Sequence, residues 1–259
     1  MLVRLRLIGG RVGASGLRSL AEVAEQLGDG RVHVTSRANL QLRALPGAGQ
    51  DLDPEAVAAL EQTGLLPSRT HELVRNVMTS PQTGVAGGRA DLRPVADQVD
   101  ALLCADPALA ALPGRFLFVL DDGRGDLVGH PCDLGLVALD ESTAQLRVGG
   151  GWGDVLPLAA AARLLIELAR AFVDQRGQGP AAPWHVEELD EPLVAPVAQD
   201  GRVPSARPAL PYGEVPGGRH VEVPAAGLDR VDVRALTRTA REVVVTPWRG
   251  VLIPGSADD

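Results

Sequence analysis

The sequence predicts an α+β fold in which two similar half-domains accompany a central α+β domain. Three observations support this prediction. Apolar residues recur at strand spacing and at helix spacing in alternation along the chain, as they do in mixed folds. The strand–helix–strand pattern at the start of the chain returns near its end. A proline-rich stretch over residues 177–218 separates this second copy from the middle of the sequence.

The first predicted part is an N-terminal half-domain over residues 1–66. Apolar residues and arginines alternate over residues 3–7, which is the period of a half-buried strand. Ser15 is a suitable N-cap for the helix that follows, and a Gly-Asp-Gly run ends that helix. A strand pattern then resumes over residues 32–42. Asp53 and the proline after it begin a second short helix.

The second predicted part is a central α+β domain over residues 67–176. Helical spacing of apolar residues predicts helices over residues 91–103 and 157–174. The Asp/Gly-rich run at residues 121–126 is typical of a hairpin turn. Strands are predicted at residues 116–120, 134–139 and 145–148.

The third predicted part is the proline-rich connector over residues 177–218. Its prolines allow at most one strand, around residues 184–189. A connection this long is uncommon inside one compact domain, so we expect it to join two structural parts.

The fourth predicted part, residues 219–255, repeats the opening pattern. Residues 17–20 match residues 233–236 in register, and residues 34–37 match residues 245–248. Such a repeat predicts two half-domains related by a pseudo-two-fold axis. Chance similarity of two small strand–helix–strand units is the alternative.

Composition narrows the classes of function. The chain has 259 residues, a formal net charge of −8 and two cysteines, and all 25 basic residues are arginine. The acidic balance argues against broad nucleic-acid binding, and no apolar run approaches the ~20 residues of a membrane span. The charged N-terminus does not resemble a signal peptide, so we expect a cytoplasmic protein. Without lysine, Schiff-base chemistry is excluded and any anion site is built from guanidinium groups, which suit carboxylates.

The most unusual stretch is the strand over residues 32–43. If it runs through, period-two geometry places Arg37, Gln41 and Arg43 on one face, opposite the apolar residues. A solvated sheet face is the alternative for such a strand. Convergence of several arginines favours a ligand with multiple carboxylates.

Three further positions support an anion site. Arg75 and Asn76 combine a guanidinium with an amide, and Arg115 follows later in the same predicted domain. Arg249 stands in the second copy of the repeat, at the position that corresponds to Ala38 in the first. These residues join the candidate site for the same ligand.

Two motifs carry a resemblance to a known superfamily. Residues 35–41 resemble the Thr-x-Arg-x-x-x-Gln signature of the sirohaem-dependent nitrite and sulfite reductases. The Arg-Asn-Val at residues 75–77, with Ser-Pro at residues 80–81, resembles their second motif. Within the superfamily the sequence is most similar to the precorrin-3B synthases of aerobic cobalamin biosynthesis, on the runs at residues 121–126 and 247–250.

The resemblance implies a fold, a ligand and a reaction. It implies two ferredoxin-like half-domains and a central nitrite/sulfite-reductase-like domain, with a tetrapyrrole in the groove between them. It also implies a [4Fe–4S] cluster and a non-haem iron as family cofactors. The synthase reaction is the oxygen-dependent hydroxylation of precorrin-3A with formation of a γ-lactone. The positions that match the family's tetrapyrrole and active-site residues are Arg37, Gln41, Arg75, Asn76 and Arg115.

Two departures from the family pattern bear on activity. The reductases carry a catalytic lysine two positions after the equivalent of Arg115, where this sequence has Leu117. The family's four cluster cysteines lie in a domain that would begin where this sequence ends. Of the two cysteines here, we expect Cys104 to be a buried structural thiol, and Cys132, close to His130, is a weak metal candidate. The chain would then be a fragment, half of a split enzyme with a Cys-rich second polypeptide, or a descendant without the cluster.

The remaining candidates are weaker, and no metal ligand or catalytic residue is assigned. Asp121, Asp122 and Asp126 offer carboxylates to a hard cation, but an Asp/Gly turn is the interpretation we favour. The glycines at residues 149–151 lack the strand–loop–helix context of a dinucleotide-binding fingerprint.

The sequence therefore favours a precorrin-3B synthase-like oxidoreductase that binds precorrin-3A. The first alternative is a non-catalytic tetrapyrrole-binding carrier or partner subunit that has lost the redox centre. A remnant of a sirohaem-dependent reductase is disfavoured by Leu117 and the missing cysteines. The predicted tetrapyrrole-binding residues are Arg37, Gln41, Arg43, Arg75, Asn76, Arg115 and Arg249.

Overall fold

The computed structural model of the chain describes residues 1–49 and 51–255 and divides into two compact units. Unit 1 combines Met1–Glu72 with the chain from Leu210 onward, and unit 2 is Leu73–Ala209. Unit 1 therefore takes in both predicted half-domains. Among the described residues, no helix is both long and apolar enough to cross a membrane.

Helices and strands alternate along the described chain, which confirms the predicted α+β class. The α-helices are α1 (Ala14–Leu27), α2 (Pro54–Gln62), α3 (Arg93–Ala105), α4 (Leu158–Arg176) and α5 (Arg230–Leu236), with short 3-10 helices at Pro107–Ala111 and Val186–Glu188. The strands are β1 (Val3–Leu5), β2 (Arg11–Gly13), β3 (His33–Val34), β4 (Leu40–Leu42), β5 (Gly47–Ala48), β6 (Asp51–Leu52), β7 (Val77–Thr79), β8 (Phe118–Asp121), β9 (Leu134–Ala138), β10 (Thr143–Val148), β11 (Gly151–Pro157), β12 (Gly213–Val215), β13 (Gly218–Glu222), β14 (Glu242–Thr246) and β15 (Gly250–Pro254).

The larger sheets of unit 1 reflect the predicted repeat. One sheet has the strand order β1–β4–β3, and the other has the order β12–β13–β15–β14–β2. All of these neighbours pair in antiparallel fashion. Strands β1, β4 and β3 of the first half-domain correspond to β13, β15 and β14 of the second. The helices of the two copies, α1 and α5, pack against each other.

Strand pairing between the half-domains follows a pseudo-two-fold exchange. Val12 of β2 pairs with Val243 of β14. In the repeat, Val12 corresponds to Leu228 and Val243 corresponds to Val32, and these two residues form an isolated antiparallel bridge. The same contact is therefore made twice with the partners exchanged. This symmetry confirms the predicted repeat.

One apolar core joins the two half-domains. It includes Leu17 and Leu20 of α1, Leu40 of β4, Val233 of α5 and Val251 of β15, all of them fully buried. Burial of each such side chain contributes roughly 1.5–3 kcal/mol to folding. The half-domains thus stabilise each other through shared apolar surface.

Helix α1 begins two residues earlier than the sequence predicts. Its N-cap is Gly13, in an extended conformation without a side-chain cap, and Ser15 lies exposed in the first turn. Gly13 is also the last residue of β2, and the Ala14 N–H donates to the Arg241 carbonyl oxygen at 2.9 Å. The chain therefore passes directly from strand to helix. Helix α2 does begin as predicted, with Asp53 at the N-cap and a proline in its first turn.

Unit 2 is built on a mixed sheet of order β11–β10–β9–β8–β7. Strands β7, β8 and β9 run parallel, whereas β9, β10 and β11 pair in antiparallel fashion. Helices α3 and α4, both close to their predicted bounds, pack against each other. Phe116, Phe118 and Phe172 form an aromatic centre, with ring centroids 5.3 and 5.0 Å from that of Phe116.

The prediction of a hairpin turn at residues 121–126 is wrong. The flanking strands β8 and β9 are parallel, so the chain between them must cross back over the length of the strand. The Asp121 carboxylate organises this return, because it accepts the N–H groups of Gly123, Gly125 and Leu127 at 2.8–3.0 Å. The Asp/Gly run is a loop that folds around a buried carboxylate.

The proline-rich connector packs onto unit 2 as far as Ala209. Where the sequence allows a strand, around residues 184–189, it forms a 3-10 helix, whose Val186 N–H donates to the Asp133 carboxylate at 3.2 Å. Further along, the Gln145 amide donates to the Ala198 carbonyl oxygen (2.9 Å) and accepts from the Asp200 N–H (2.8 Å). Asp133 and Gln145 are both buried. Buried side chains of the sheet therefore hold the connector in place.

Candidate functional site

Four arginines and one glutamine of the first half-domain lie on or beside one face of the β1–β4–β3 sheet. Arg4 lies directly opposite Gln41 in the register of β1 and β4, so their side chains share one face of the sheet. Arg6 follows Arg4 by two positions, and Arg43 follows Gln41 by two. Side chains alternate between the two faces, so Arg6 and Arg43 share that face just beyond the ends of β1 and β4. Arg37 lies in the turn between β3 and β4. We call Arg4, Arg6, Arg37, Gln41 and Arg43 the arginine face.

Positive charge is concentrated on the arginine face. Arg6 is only 8% exposed. Burial and the neighbouring charges of Arg4 and Arg37 lower the pKa of Arg6 to about 10, and Glu72 offsets part of this effect. Arg6 therefore keeps its charge at neutral pH, close to two like charges and one carboxylate. An anion placed there would relieve this repulsion.

The turn that carries Arg37 is held by its own side chains. The Thr35 hydroxyl accepts the N–H groups of Arg37 (3.3 Å) and Asn39 (3.2 Å), and the Asn39 side-chain oxygen accepts the N–H of Leu7 (2.8 Å). Ala38 completes the turn with φ of +54°. The backbone at Arg37 is thus fixed by hydrogen bonds within the turn and by one bond to Leu7.

Gln41 supports Arg43 on the same face. With its carbonyl oxygen turned toward Arg43, the buried Gln41 amide accepts from Nε at 2.7 Å and from Nη2 at 3.3 Å. Arg43 itself is exposed. Its guanidinium is thereby oriented by Gln41 while part of it faces solvent.

In unit 2, Arg75 and Asn76 make strong internal contacts. Arg75 is 4% exposed, and its Nε and Nη2 donate to the two oxygens of Asp100 at 2.7 and 3.0 Å. The Asn76 side chain donates to the Gly114 carbonyl oxygen at 3.1 Å. These bonds position the loop before Arg115, which is exposed. A direct role of these residues in ligand binding stays a prediction.

The predicted site residues therefore fall into separate groups. The predicted strand over residues 32–43 does not run through, because a turn separates β3 from β4. Gln41 and Arg43 meet on the sheet, Arg37 lies in that turn within electrostatic range of Arg6, and Arg249 lies between β14 and β15 of the other sheet. Arg75, Asn76 and Arg115 belong to unit 2. The sequence prediction missed Arg4 and Arg6. Arg4 and Arg6 alternate with apolar residues, which indicates that they share one face of a strand. The same alternation is expected when that face is only exposed to solvent, so it did not single them out as site residues.

The carboxylates of Asp121, Asp122 and Asp126 form a cluster with oxygens within 4.8 Å of one another; Asp121 and Asp122 are buried, and Asp126 is half-buried. Asp122 pairs with Arg124 at 2.7 Å, and Asp126 accepts the Ser80 hydroxyl hydrogen bond at 2.6 Å. Burial and the charge of Asp121 raise the pKa of Asp126 to about 7. Each carboxylate thus has a partner within the protein, in agreement with a structural loop.

The cysteines do not fit the family's [4Fe–4S] cluster, which needs four thiolates. Cys132 is buried, its thiol donates to the Gly149 carbonyl oxygen at 3.6 Å, and burial raises its pKa to about 11. Cys104 is only partly buried, contrary to the sequence expectation, and its sulfur lies 3.9 Å from an Asp100 oxygen. Leu117, at the position of the reductase lysine, is 6% exposed and belongs to the apolar core. The chain by itself therefore offers neither the cluster ligands nor that cation.

Comparison with known proteins agrees with this fold. Residues 1–51 match the family model of the nitrite/sulfite reductase ferredoxin-like half domain. The structure of the NirA protein of Mycobacterium tuberculosis matches with a TM-score of 0.76 at 18% sequence identity, covering 99% of this chain and 54% of that one. The chain thus spans about half the length of NirA, and the likeness confirms the fold with ferredoxin-like half-domains. No curated protein matches the sequence.

Proposed function

We propose that this chain binds a carboxylate-rich tetrapyrrole of the precorrin-3A class, as a precorrin-3B synthase-like protein of cobalamin biosynthesis. The observation that carries the proposal is the arginine face, where the buried Arg6 lies close to the like charges of Arg4 and Arg37, offset in part by Glu72. A guanidinium forks onto a carboxylate, and a hydrogen bond to a charged group contributes about 1.5–3 kcal/mol. Several such bonds would give both affinity and a fixed orientation of the ring.

Each residue has a defined part in this proposal. Arg4, Arg37 and Arg43 bind peripheral carboxylates, and Arg6 neutralises charge from its buried position. Gln41 orients Arg43, and Arg249 supplies a further guanidinium from the second half-domain. In the synthase reaction these residues hold the substrate by its carboxylates and fix the orientation of the ring. The residues present do not fit the iron–sulfur cluster, so no step of the reaction is assigned to it.

The second candidate function is a non-catalytic carrier or partner subunit. It is favoured by the two cysteines, which are too few for the cluster, and by the apolar Leu117 in place of a lysine. In this case the oxidation would take place on a Cys-rich second polypeptide, and the chain would deliver or retain the tetrapyrrole.

Ligand binding is tested with uroporphyrin, a fluorescent tetrapyrrole with carboxylates on every ring. We expect the wild-type chain to bind it and Arg37→Ala to weaken binding by at least ~1.5 kcal/mol, about tenfold. Arg18→Ala is the matched control, because Arg18 lies exposed on α1 of the same half-domain. Absence of wild-type binding, or equal losses in the two variants, would overturn the proposal.

Catalysis is tested separately, with the anaerobically purified chain and precorrin-3A. Conversion on addition of oxygen by the chain alone would support the synthase and rule out the carrier. Binding without turnover, followed by turnover when a Cys-rich polypeptide is added, would support a split enzyme. Binding without turnover under both conditions would support the carrier.

A further inference from the structure

We propose that Tyr212 is a positioning residue that holds the turn after β14 so that Arg249 faces an anionic group of the ligand. The inference rests on the proposed function, in which Arg249 contacts a carboxylate. Tyr212 itself lies before β12, in a segment that the sequence assigned to the connector.

Tyr212 contacts the turn directly. Its hydroxyl donates to the carbonyl oxygen of Trp248 at 2.5 Å. Trp248 is the residue immediately before Arg249. Its ring lies against that of His220, with centroids 4.8 Å apart and an interplanar angle of 38°. The side chain remains 44% exposed. An exposed tyrosine thus uses its hydroxyl to fix main chain and leaves part of its ring at the surface beside Arg249.

His220 holds the start of the same turn. Its Nδ1 lies 3.1 Å from the carbonyl oxygens of both Leu210 and Pro211, which only accept hydrogen bonds, so the proton resides on Nδ1. Nε2 then accepts from the Thr246 hydroxyl at 3.0 Å. Burial lowers the pKa of His220, in agreement with a neutral ring. Residues 210–212 are therefore linked to the turn at two points. Leu210 and Pro211 bond to His220, which bonds to Thr246, and Tyr212 bonds directly to Trp248.

The corresponding turn of the first half-domain explains why this support is needed. There, Thr35 and Asn39 hold the turn with their own side chains. In the second copy the Thr246 hydroxyl is bonded to His220, and Gly250, which has no side chain, stands in place of Asn39. A Cβ atom on Gly250 would overlap the His220 ring. The second turn is therefore held in part by contacts with residues 210–220.

Arg249 is the residue that this support constrains. It is exposed and has φ of +61°, a conformation that residues with a Cβ adopt rarely. Burial and Glu222 raise the pKa of Tyr212 while the Arg249 charge lowers it, so the guanidinium lies within electrostatic range of the phenol. The hydroxyl stays protonated at neutral pH and is available as the donor to Trp248.

A double-mutant cycle on uroporphyrin binding tests the inference. We expect Tyr212→Phe to weaken binding ~3-fold in the wild-type background, and Arg249→Ala to weaken it ~10-fold. In the Arg249→Ala background, Tyr212→Phe is expected to change affinity by less than 1.5-fold, because it acts only through Arg249. Thr246→Val, which removes the bond to His220 and keeps the shape, serves as a second variant with the same expected dependence on Arg249.

The outcomes separate this inference from the proposed function. Equal losses for Tyr212→Phe in both backgrounds, or no loss in either, would overturn the positioning role while wild-type binding still supports the function. Absence of wild-type binding would overturn both. Circular dichroism and thermal unfolding of each variant show whether it is folded. If Tyr212→Phe does not fold, the Thr246→Val cycle decides in its place.

Discussion

The two half-domains of unit 1 share a backbone and differ in the chemistry of one sheet face. Both copies keep apolar residues on the inner face, where Leu5 pairs with Leu40 and Val221 pairs with Val251. On the outer face, the register places His220 where the first copy has Arg4, opposite Leu252 in place of Gln41. The remaining positions of the arginine face correspond to Glu222, Trp248 and Pro254 in the second copy.

Under the proposed function, this difference means that the repeat separates folding from binding. The inner face is constrained by the core that both copies share, so its apolar residues are retained. The outer face contributes little to that core and is free to change. The first copy places guanidinium groups there, whereas the second covers His220 with its own Tyr212. Ligand binding is therefore expected to depend on the first copy, with Arg249 as the contribution of the second.

The largest expected effect is a loss of stability when a side chain is added at Gly10, where the first copy packs closely against Val245 of the second. We expect Gly10→Ala to lower the free energy of unfolding by about 3 kcal/mol, because Gly10 has φ of +73° and an added Cβ would overlap the Val245 carbonyl group. Thermal or urea unfolding measures this change. The matched control is Gly13→Ala, since nothing lies within 4 Å of a Cβ there, and it should cost at most about 1 kcal/mol as an N-cap substitution. Equal losses in both variants would contradict the close approach.

The next effect compares the two outer faces directly. We expect Arg6→Gln to weaken uroporphyrin binding by about 2 kcal/mol, roughly 30-fold, because it removes the buried charge of the arginine face. Glu222→Gln changes the corresponding position of the second copy and should leave affinity unchanged. Fluorescence titration of both variants measures the contrast. A similar loss in both would mean that binding does not distinguish the copies.

The smallest effect concerns pH and the second copy. Burial lowers the pKa of His220, so the unfolded chain binds more protons than the folded chain as the pH falls below the usual histidine value. The contribution of His220 to stability is thus present above that value and is lost as the pH falls through the folded pKa. We expect His220→Gln to have a shallower decrease in stability between pH 7 and 5 than the wild type, measured by urea unfolding. Parallel pH profiles would show that His220 does not titrate in this way.

The repeat and the inner faces were predictable because apolar periodicity and in-register matches report the core directly. The crossover at residues 121–126 was not, since aspartates and glycines indicate a change of direction but not whether the next strand runs parallel. Arg75 looked like a free guanidinium in the sequence because its partner, Asp100, lies 25 residues away on a helix. The register of β1 against β4, which sets Arg4 beside Gln41, likewise depends on tertiary pairing.

The discontinuity of unit 1 has a consequence for synthesis on the ribosome. Unit 2 is one continuous segment, and its sheet and helices can form as soon as residues up to Ala209 have emerged. The first half-domain emerges before unit 2 but lacks α5 and the β14 edge that complete its core. Its apolar surface therefore stays uncovered until α5 and β14 have also been translated. We expect the first half-domain to reach its final structure later than unit 2, and to need a chaperone more than unit 2 does.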